Sequence, residues 1–312
     1  MINRGTEELN GLCFLDMLEK CNLCPRKCFV NRLDGELGLC GASSDVKIAK
    51  VSLHQWEEPC ISGTSGSGTV FFSNCNLKCV FCQNHTISEE GTGKTASIER
   101  LSEIFLEQQM RGAHNINLVT PTHYVPQIIE ALKIAKSKGL SIPILYNSNA
   151  YESIDTIKSL SGFIDVYLPD LKYYNDKYAI KYSNAPNYFN TACKAITEMV
   201  SQVGDAKFDN AGLIQKGVII RHLMLPGLLF DSKKVIDFIY STFNDSVYIS
   251  LMNQYTPMHK AAKYPEINKP LNPNHYDALI DYCLNLGITK CFIQESGTAS
   301  IDFVPDFDLN QA

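Results

Sequence analysis

The chain has 312 residues, 45% hydrophobic and 20% charged, enough apolar sequence for a full core; wholesale disorder is excluded. Its formal net charge of −5 argues against a nucleic-acid partner held by a basic surface. No apolar run reaches about 18 residues, and Met1–Asn10 is polar with no apolar h-region, so a cytoplasmic protein with neither membrane span nor secretory signal is expected.

Twelve cysteines stand out. Cytosolic thiols are kept reduced, so metal or cluster ligation is a better reading than disulfides. The first group is Cys21, Cys24, Cys28 and Cys40, in CNLCPRKCFVNRLDGELGLC. Gly35, Gly38 and Gly41 permit the turns that would wrap a metal. Residues 1–60 thus read as a Cys-rich N-terminal extension with a candidate metal knuckle. Zinc held by four thiolates and a second iron–sulfur cluster both remain open, although the spacing departs from the ferredoxin run C-x2-C-x2-C-x3-C. Four reduced thiols with no metal are the third alternative. Cys13, Cys60, Cys193, Cys283 and Cys291 lack tight spacing and read as small buried hydrophobes.

From about Gly66 onward, strand and helix alternate. The first strand, Thr69–Ser73, runs straight into a second cysteine group, Cys75, Cys79 and Cys82. Further short apolar runs predict strands at Asn115–Thr120, Ile142–Tyr146, Ile164–Leu168, Gly217–Met224, Val247–Met252 and Thr289–Gln294, each of the kind buried on both faces. Between them the spacing predicts helices at Ile98–Met110, Val125–Lys138, Asn187–Val203, Lys233–Phe243 and His275–Leu286. Gly139 and Gly287 suit the left-handed position after a helix. Repeated β-then-α units mean parallel strands with crossover helices: an α/β fold, as a barrel or open barrel over residues 61–300, with 301–312 as a C-terminal tail. A doubly wound sheet is the alternative. No G-x-G-x-x-G follows the first strand, so a dinucleotide site is not indicated.

Cys75-x3-Cys79-x2-Cys82 places three thiolates in a loop after a strand, where barrel chemistry sits. Three ligands on a four-iron cluster leave one iron open to a cofactor or substrate. Structural zinc usually takes four ligands, and catalytic zinc mixes in histidine or carboxylate; His85 stands close enough in sequence to complete such a set.

The segment GTVFFSNCNLKCVFCQN, Gly68–Asn84, resembles the cluster loop of radical S-adenosylmethionine (SAM) enzymes, C-x3-C-x-φ-C with an aromatic φ, here Phe81. The resemblance covers most of the chain and is closest to homologues of pyruvate formate-lyase activating enzyme. It implies a partial (β/α)6 barrel in which Cys75, Cys79 and Cys82 hold a 4Fe–4S cluster. It further implies reductive cleavage of SAM to methionine and a 5′-deoxyadenosyl radical that abstracts hydrogen from a substrate. Flavodoxin or ferredoxin would supply the electron, and a protein or peptide is an expected substrate.

Residue by residue, the resemblance implies Phe81 beside the adenine. Where the family has Gly-Gly-Glu at the second strand's end, this chain has Thr120-Pro121-Thr122-His123, and Thr120 and Thr122 would replace those contacts. Asn147 and Asn149 end the third strand, where activases carry Thr-Asn-Gly. Asp170-Leu171-Lys172 matches the activases' Asp-Leu-Lys, and Arg221 an arginine near the SAM carboxylate. Gln254 and Tyr255 stand where activases place Tyr-His. Without the resemblance, Arg221 reads as the partner of an acidic loop and Asp170–Lys172 as a local ion pair. The missing Gly-Gly-Glu and histidine bear on the substrate more than on SAM. Glycyl-radical activation, radical modification of a small molecule or another peptide, and a non-SAM iron–sulfur or zinc protein are the functions left to separate.

Overall fold

A computed structural model describes residues 14–294. Cys13, Met1–Asn10 and the expected 301–312 tail lie outside the described residues. In chain order the elements are β1 (Val46–His54), α1 (Pro59–Ser62), β2 (Ser67–Phe72), α2 (His85–Ser88), β3 (Lys94–Ala96), α3 (Ile98–Met110), β4 (Ile116–Val119), α4 (Val125–Ser137), β5 (Ile144–Ser148), α5 (Ile154–Ser159), β6 (Val166–Pro169), α6 (Asp176–Ser183), α7 (Tyr188–Val203), β7 (Lys207–Phe208), β8 (Ile214–Leu223), α8 (Leu229–Phe243), β9 (Tyr248–Met252), α9 (Pro273–Asn285) and β10 (Cys291–Ile293).

The strands form one sheet in the order β10-β9-β8-β6-β5-β4-β2-β1-β3, with β7 paired only to β8. From β2 to β10 neighbouring strands along this path are parallel, as crossover helices require. The sheet does not close: β3 and β10 are its ends. Its two faces differ. Tyr146, Tyr167, Val218 and Ile220 belong to the large core shared with α3, α4, α7, α8 and α9. The alternate residues Leu145, Val166, Leu168 and Ile219 form a smaller cluster that Cys60 and Ile61 of α1 cover. Helices on one face and a lumen on the other make this an open barrel, the expected partial barrel, and set aside the doubly wound alternative.

Two features were not expected. β1, inside the stretch read as an N-terminal extension, pairs antiparallel with β2 from Ile48 opposite Phe72 to His54 opposite Ser67. The short β3 extends that edge. The cysteine-bearing segment before β1 does not float free of the barrel. Leu18 and Leu23 are fully buried, and Thr156 Oγ1 of α5 donates to Leu23 O at 2.8 Å.

Candidate active site

The carboxyl ends of the parallel strands surround a cavity of about 420 Å³, within the range that holds small-molecule cofactors. The loop after β2 supplies Cys75, Cys79 and Cys82 to its wall. Asn74, the residue before Cys75, adopts a left-handed backbone (φ 74°), which asparagine tolerates, and this turns the chain out of β2. Neighbouring elements then clamp the loop. Val80 N donates to Tyr182 O at 2.8 Å, Lys260 N donates to Val80 O at 2.8 Å, and Asn76 Nδ2 donates to Tyr151 O at 2.7 Å.

Burial raises all three thiols. Cys75 is pushed up to about 12, with Cys79 adding to the shift, and Cys79 to about 11. Cys82 moves the same way for the same reason. Such a trio resists carrying three negative charges alone; a polycationic centre reverses that logic by binding the thiolates. Among the described residues, no three His, Cys, Asp or Glu side chains converge closely enough for a single metal ion. An iron–sulfur cluster attaches its cysteines to different irons and needs no such point, so the Cys75–Cys79–Cys82 set fits a cluster by its chemistry and its shared cavity.

The expected SAM-facing residues Thr120, Asn147, Asn149, Asp170, Lys172, Arg221 and Gln254 all line this cavity with the three cysteines. Thr120 holds a left-handed backbone (φ 58°) at the end of β4, a strained conformation for a β-branched residue, and its N–H donates to Asn147 O at 2.9 Å. Asn149 Nδ2 donates to Asn76 Oδ1 at 2.7 Å. Lys172 Nζ and Asp170 Oδ2 pair at 2.6 Å. Burial opposes the Lys172 charge, but the Asp170 carboxylate and a Cys79 thiolate carry its pKa above the ordinary lysine value. Gln254 Oε1 accepts from Gln294 Nε2 at 3.0 Å, and Gln254 O accepts from Gln83 Nε2 at 3.1 Å.

Phe81 and Thr122 are not on the cavity wall. Phe81 is buried against Tyr255, ring centroids 5.8 Å apart, in the core behind the loop. Thr122 Oγ1 donates to the buried Glu152 Oε1 at 2.7 Å. Arg221 is engaged as well: its guanidinium pairs with Glu57 and Glu58, with Nε donating to Glu58 Oε1 at 2.9 Å. Asn117 Nδ2 donates to the other Glu57 oxygen at 2.8 Å. The acidic-loop reading of Arg221 thus describes its contacts, with Glu57 and Glu58 sharing the cavity wall.

Sequence reasoning had not singled out Glu57, Glu58, Ser88 or Ser183. The adjacent acids before Pro59 were a readable signal. The serines carried none, because only the tertiary fold brings them to the thiols.

The N-terminal cysteines stand outside the cavity lining, behind the loop. Cys28 Sγ accepts from Leu39 N at 3.4 Å and Cys40 Sγ from Ala42 N at 3.5 Å. Gly38 packs so tightly here that a Cβ would lie 2.9 Å from Cys28 Sγ. Burial pushes Cys24 up to about 12. Their arrangement gives no support to the candidate metal knuckle, which was open to zinc or a second iron–sulfur cluster. What the segment does provide is contact: Arg26 Nε donates to Asn76 O at 2.9 Å, between Cys75 and Leu77.

A family model described as the Radical SAM superfamily matches residues 69–239. A protein of Methanocaldococcus jannaschii, "Uncharacterized protein MJ0674", is 31% identical over 266 residues, covering 82% of this chain and 72% of that protein. A second from the same organism, "Uncharacterized protein MJ0808", is 23% identical over 198 residues, 58% of this chain and 54% of that one. Among solved structures, SuiB of Streptococcus suis bound to precursor peptide SuiA matches with a TM-score of 0.50 at 16% identity, over 72% of this chain and 47% of SuiB. That likeness shows the fold alone, and the chain spans about half of SuiB's length.

Proposed function

The chain belongs to the radical SAM superfamily, and on that premise we propose that Cys75, Cys79 and Cys82 hold its 4Fe–4S cluster and that the strand ends facing them bind SAM. The observation that carries this reading is the meeting of the three thiols with the polar ends of β4, β5, β6, β8 and β9 in one cavity. When bound, the two cofactors supply a one-electron cleavage of SAM whose radical takes a hydrogen atom from the substrate.

The protein's own part is placement. Backbone clamps at Asn76 and Val80 hold the thiols in register. Lys172 brings a positive charge to Cys79 and Cys82, and Asp170 holds that ammonium in place. Asn147 and Thr120 offer amide and hydroxyl groups to the amino-acid end of SAM, and Asn149, its amide engaged with Asn76 and Tyr151, shapes the wall beside them. Arg221 neutralises Glu57 and Glu58 on the opposite wall. Flavodoxin or ferredoxin is the electron donor of this reading.

Glycyl-radical activation is its narrower form, with a protein glycine as hydrogen donor; Asp170-Leu171-Lys172 supports it, and Thr120–His123 in place of Gly-Gly-Glu weighs toward another peptide or a small molecule. A second metal at Cys21, Cys24, Cys28 and Cys40 is a separate proposal, which metal analysis of the same samples decides.

The test is anaerobic reconstitution, iron and zinc counts, and a SAM-cleavage assay with dithionite. About four irons and 5′-deoxyadenosine formation are expected, both abolished by the Cys75→Ala, Cys79→Ala, Cys82→Ala triple variant. Intact SAM with a fully loaded cluster overturns the reading. Deuterium passing from a labelled glycyl peptide into 5′-deoxyadenosine supports the narrower form.

A further inference from the structure

Every sulfur of the loop has a side-chain donor at hydrogen-bond distance, and each donor comes from a different element. Cys79 Sγ lies 3.0 Å from Ser183 Oγ, at the end of α6. Cys82 Sγ lies 3.2 Å from Ser88 Oγ, at the end of α2. Asn149 Nδ2, just past β5, donates to Cys75 Sγ at 3.5 Å. Behind Ser183 stands a second hydroxyl, Tyr173 Oη, 2.8 Å from Ser183 Oγ, and both residues are fully buried. Resting on the reading that these thiolates carry a 4Fe–4S cluster, we propose that Ser183, Ser88 and Asn149 set its reduction potential, with Tyr173 acting through Ser183.

A ligating thiolate has no proton, so each serine hydroxyl must donate to sulfur. Reduction adds negative charge that spreads onto the sulfurs, so a donor stabilises the reduced cluster more than the oxidised one and raises the potential. With its proton turned toward Cys79, Ser183 offers its oxygen lone pair to the Tyr173 O–H. Two hydroxyls in series polarise one another and strengthen the inner bond.

The three donors are unequal. Cys79 has the short contact and the relay. Cys82 has a single hydroxyl. Cys75 has a long amide contact from an Asn149 whose N–H₂ also serves Asn76 Oδ1 at 2.7 Å. Ser183 therefore dominates.

The experiment is a potentiometric titration of the reconstituted full-length protein without SAM, followed by EPR of the reduced cluster, with iron counts and thermal melts alongside. Ser183→Ala is expected to lower the reduced-to-oxidised ratio at fixed solution potential about three- to tenfold, tenfold being about 59 mV for one electron. Tyr173→Phe gives a smaller shift of the same sign, as does Ser88→Ala, and Ser183→Thr restores the unmutated value. A fully loaded Ser183→Ala protein with an unchanged potential overturns the proposal, since a space-filling serine alters melting and not potential. Should that variant lose iron, Tyr173→Phe decides, because it leaves every sulfur contact in place: an unchanged potential there overturns the proposal equally. Failure of the unmutated protein to assemble any cluster is a different result and falls on the cofactor reading.

Discussion

Glu152 is buried between Thr122 and Tyr146 with one carboxylate oxygen lacking any partner. Burial raises its pKa from 4.5 to about 7. A raised carboxyl pKa means the native state holds its proton where the unfolded chain has lost it, so the contribution is complete below about pH 4.5 and is lost as pH rises to about 7. The loss is roughly 3 kcal/mol. His123 and His222, lowered by burial to about 3 and about 4, act in the opposite sense. Comparison with Glu152→Gln isolates the carboxyl: the variant should melt higher at pH 8, with the advantage vanishing toward pH 4.5. An advantage that does not change with pH would show that Glu152 titrates in the folded protein as it does in the unfolded chain, with no shift from burial.

Arg221 makes a second residue-scale case. Removing it strands the carboxylates of Glu57 and Glu58 in the wall, and breaking a buried pair costs about 3–5 kcal/mol. Arg221→Met should lower the urea midpoint accordingly, and adding Glu57→Gln and Glu58→Gln should recover most of the loss. The arginine was legible in the sequence, but its partners lie more than 160 positions away, and proximity of that kind is set by β1, α1 and β8 meeting across the lumen.

At the scale of elements, legibility followed burial. β4, β5, β6, β8 and β9 are covered on both faces and show as short apolar runs, so their existence could be read and only their ends shifted. β1 carries Lys47 and Lys50 among its apolar residues because much of it is only half covered, and it went unread. α6, with sequence DKYAIKYS, is largely polar and was missed for the same reason. The start of α8 was misjudged differently. The expected start was Lys233, but the helix begins earlier at Leu229, and the Asp231 carboxylate accepts from Tyr174 N and Asn175 N, both at 2.9 Å. α3 is the converse: Ser97 has an extended backbone and its Oγ accepts from Arg100 N at 3.1 Å, so a real cap marks the predicted start. Ser97→Ala should therefore cost about 1 kcal/mol in chemical denaturation, whereas Ser97→Asp should be close to neutral. An equal loss for both would mean that Ser97 is held by packing and not by capping.

For the molecule as a whole, the cysteine-bearing N-terminal segment braces the site from behind. Arg32 is 1% exposed and spans the junction: Nη1 donates to His123 O at 2.6 Å, and its other nitrogens donate to Ser43 O. His123 continues the chain. Burial pushes its pKa down to about 3, so the ring is neutral near pH 7, and its Nε2 lies 2.7 Å from Ser73 O. A carbonyl can only accept, so that nitrogen carries the proton. Ser73 is two residues from Cys75, and Arg26 reaches the far side of the same cysteine through Asn76 O. These bonds tie the N-terminal segment to both sides of Cys75, so loosening it is expected to loosen the thiol loop. Arg32→Met removes the cation and strands the buried His123 carbonyl, at a cost of about 1–3 kcal/mol, together with the part-buried Ser43 carbonyl. Hydrogen–deuterium exchange should accelerate together in residues 21–43 and 73–82, with α8 and α9 unchanged, and iron should leave a reconstituted sample faster in air. Acceleration confined to 21–43 would mean that the brace ends at Arg32, and that the loop is held by Tyr151, Tyr182 and Lys260 alone.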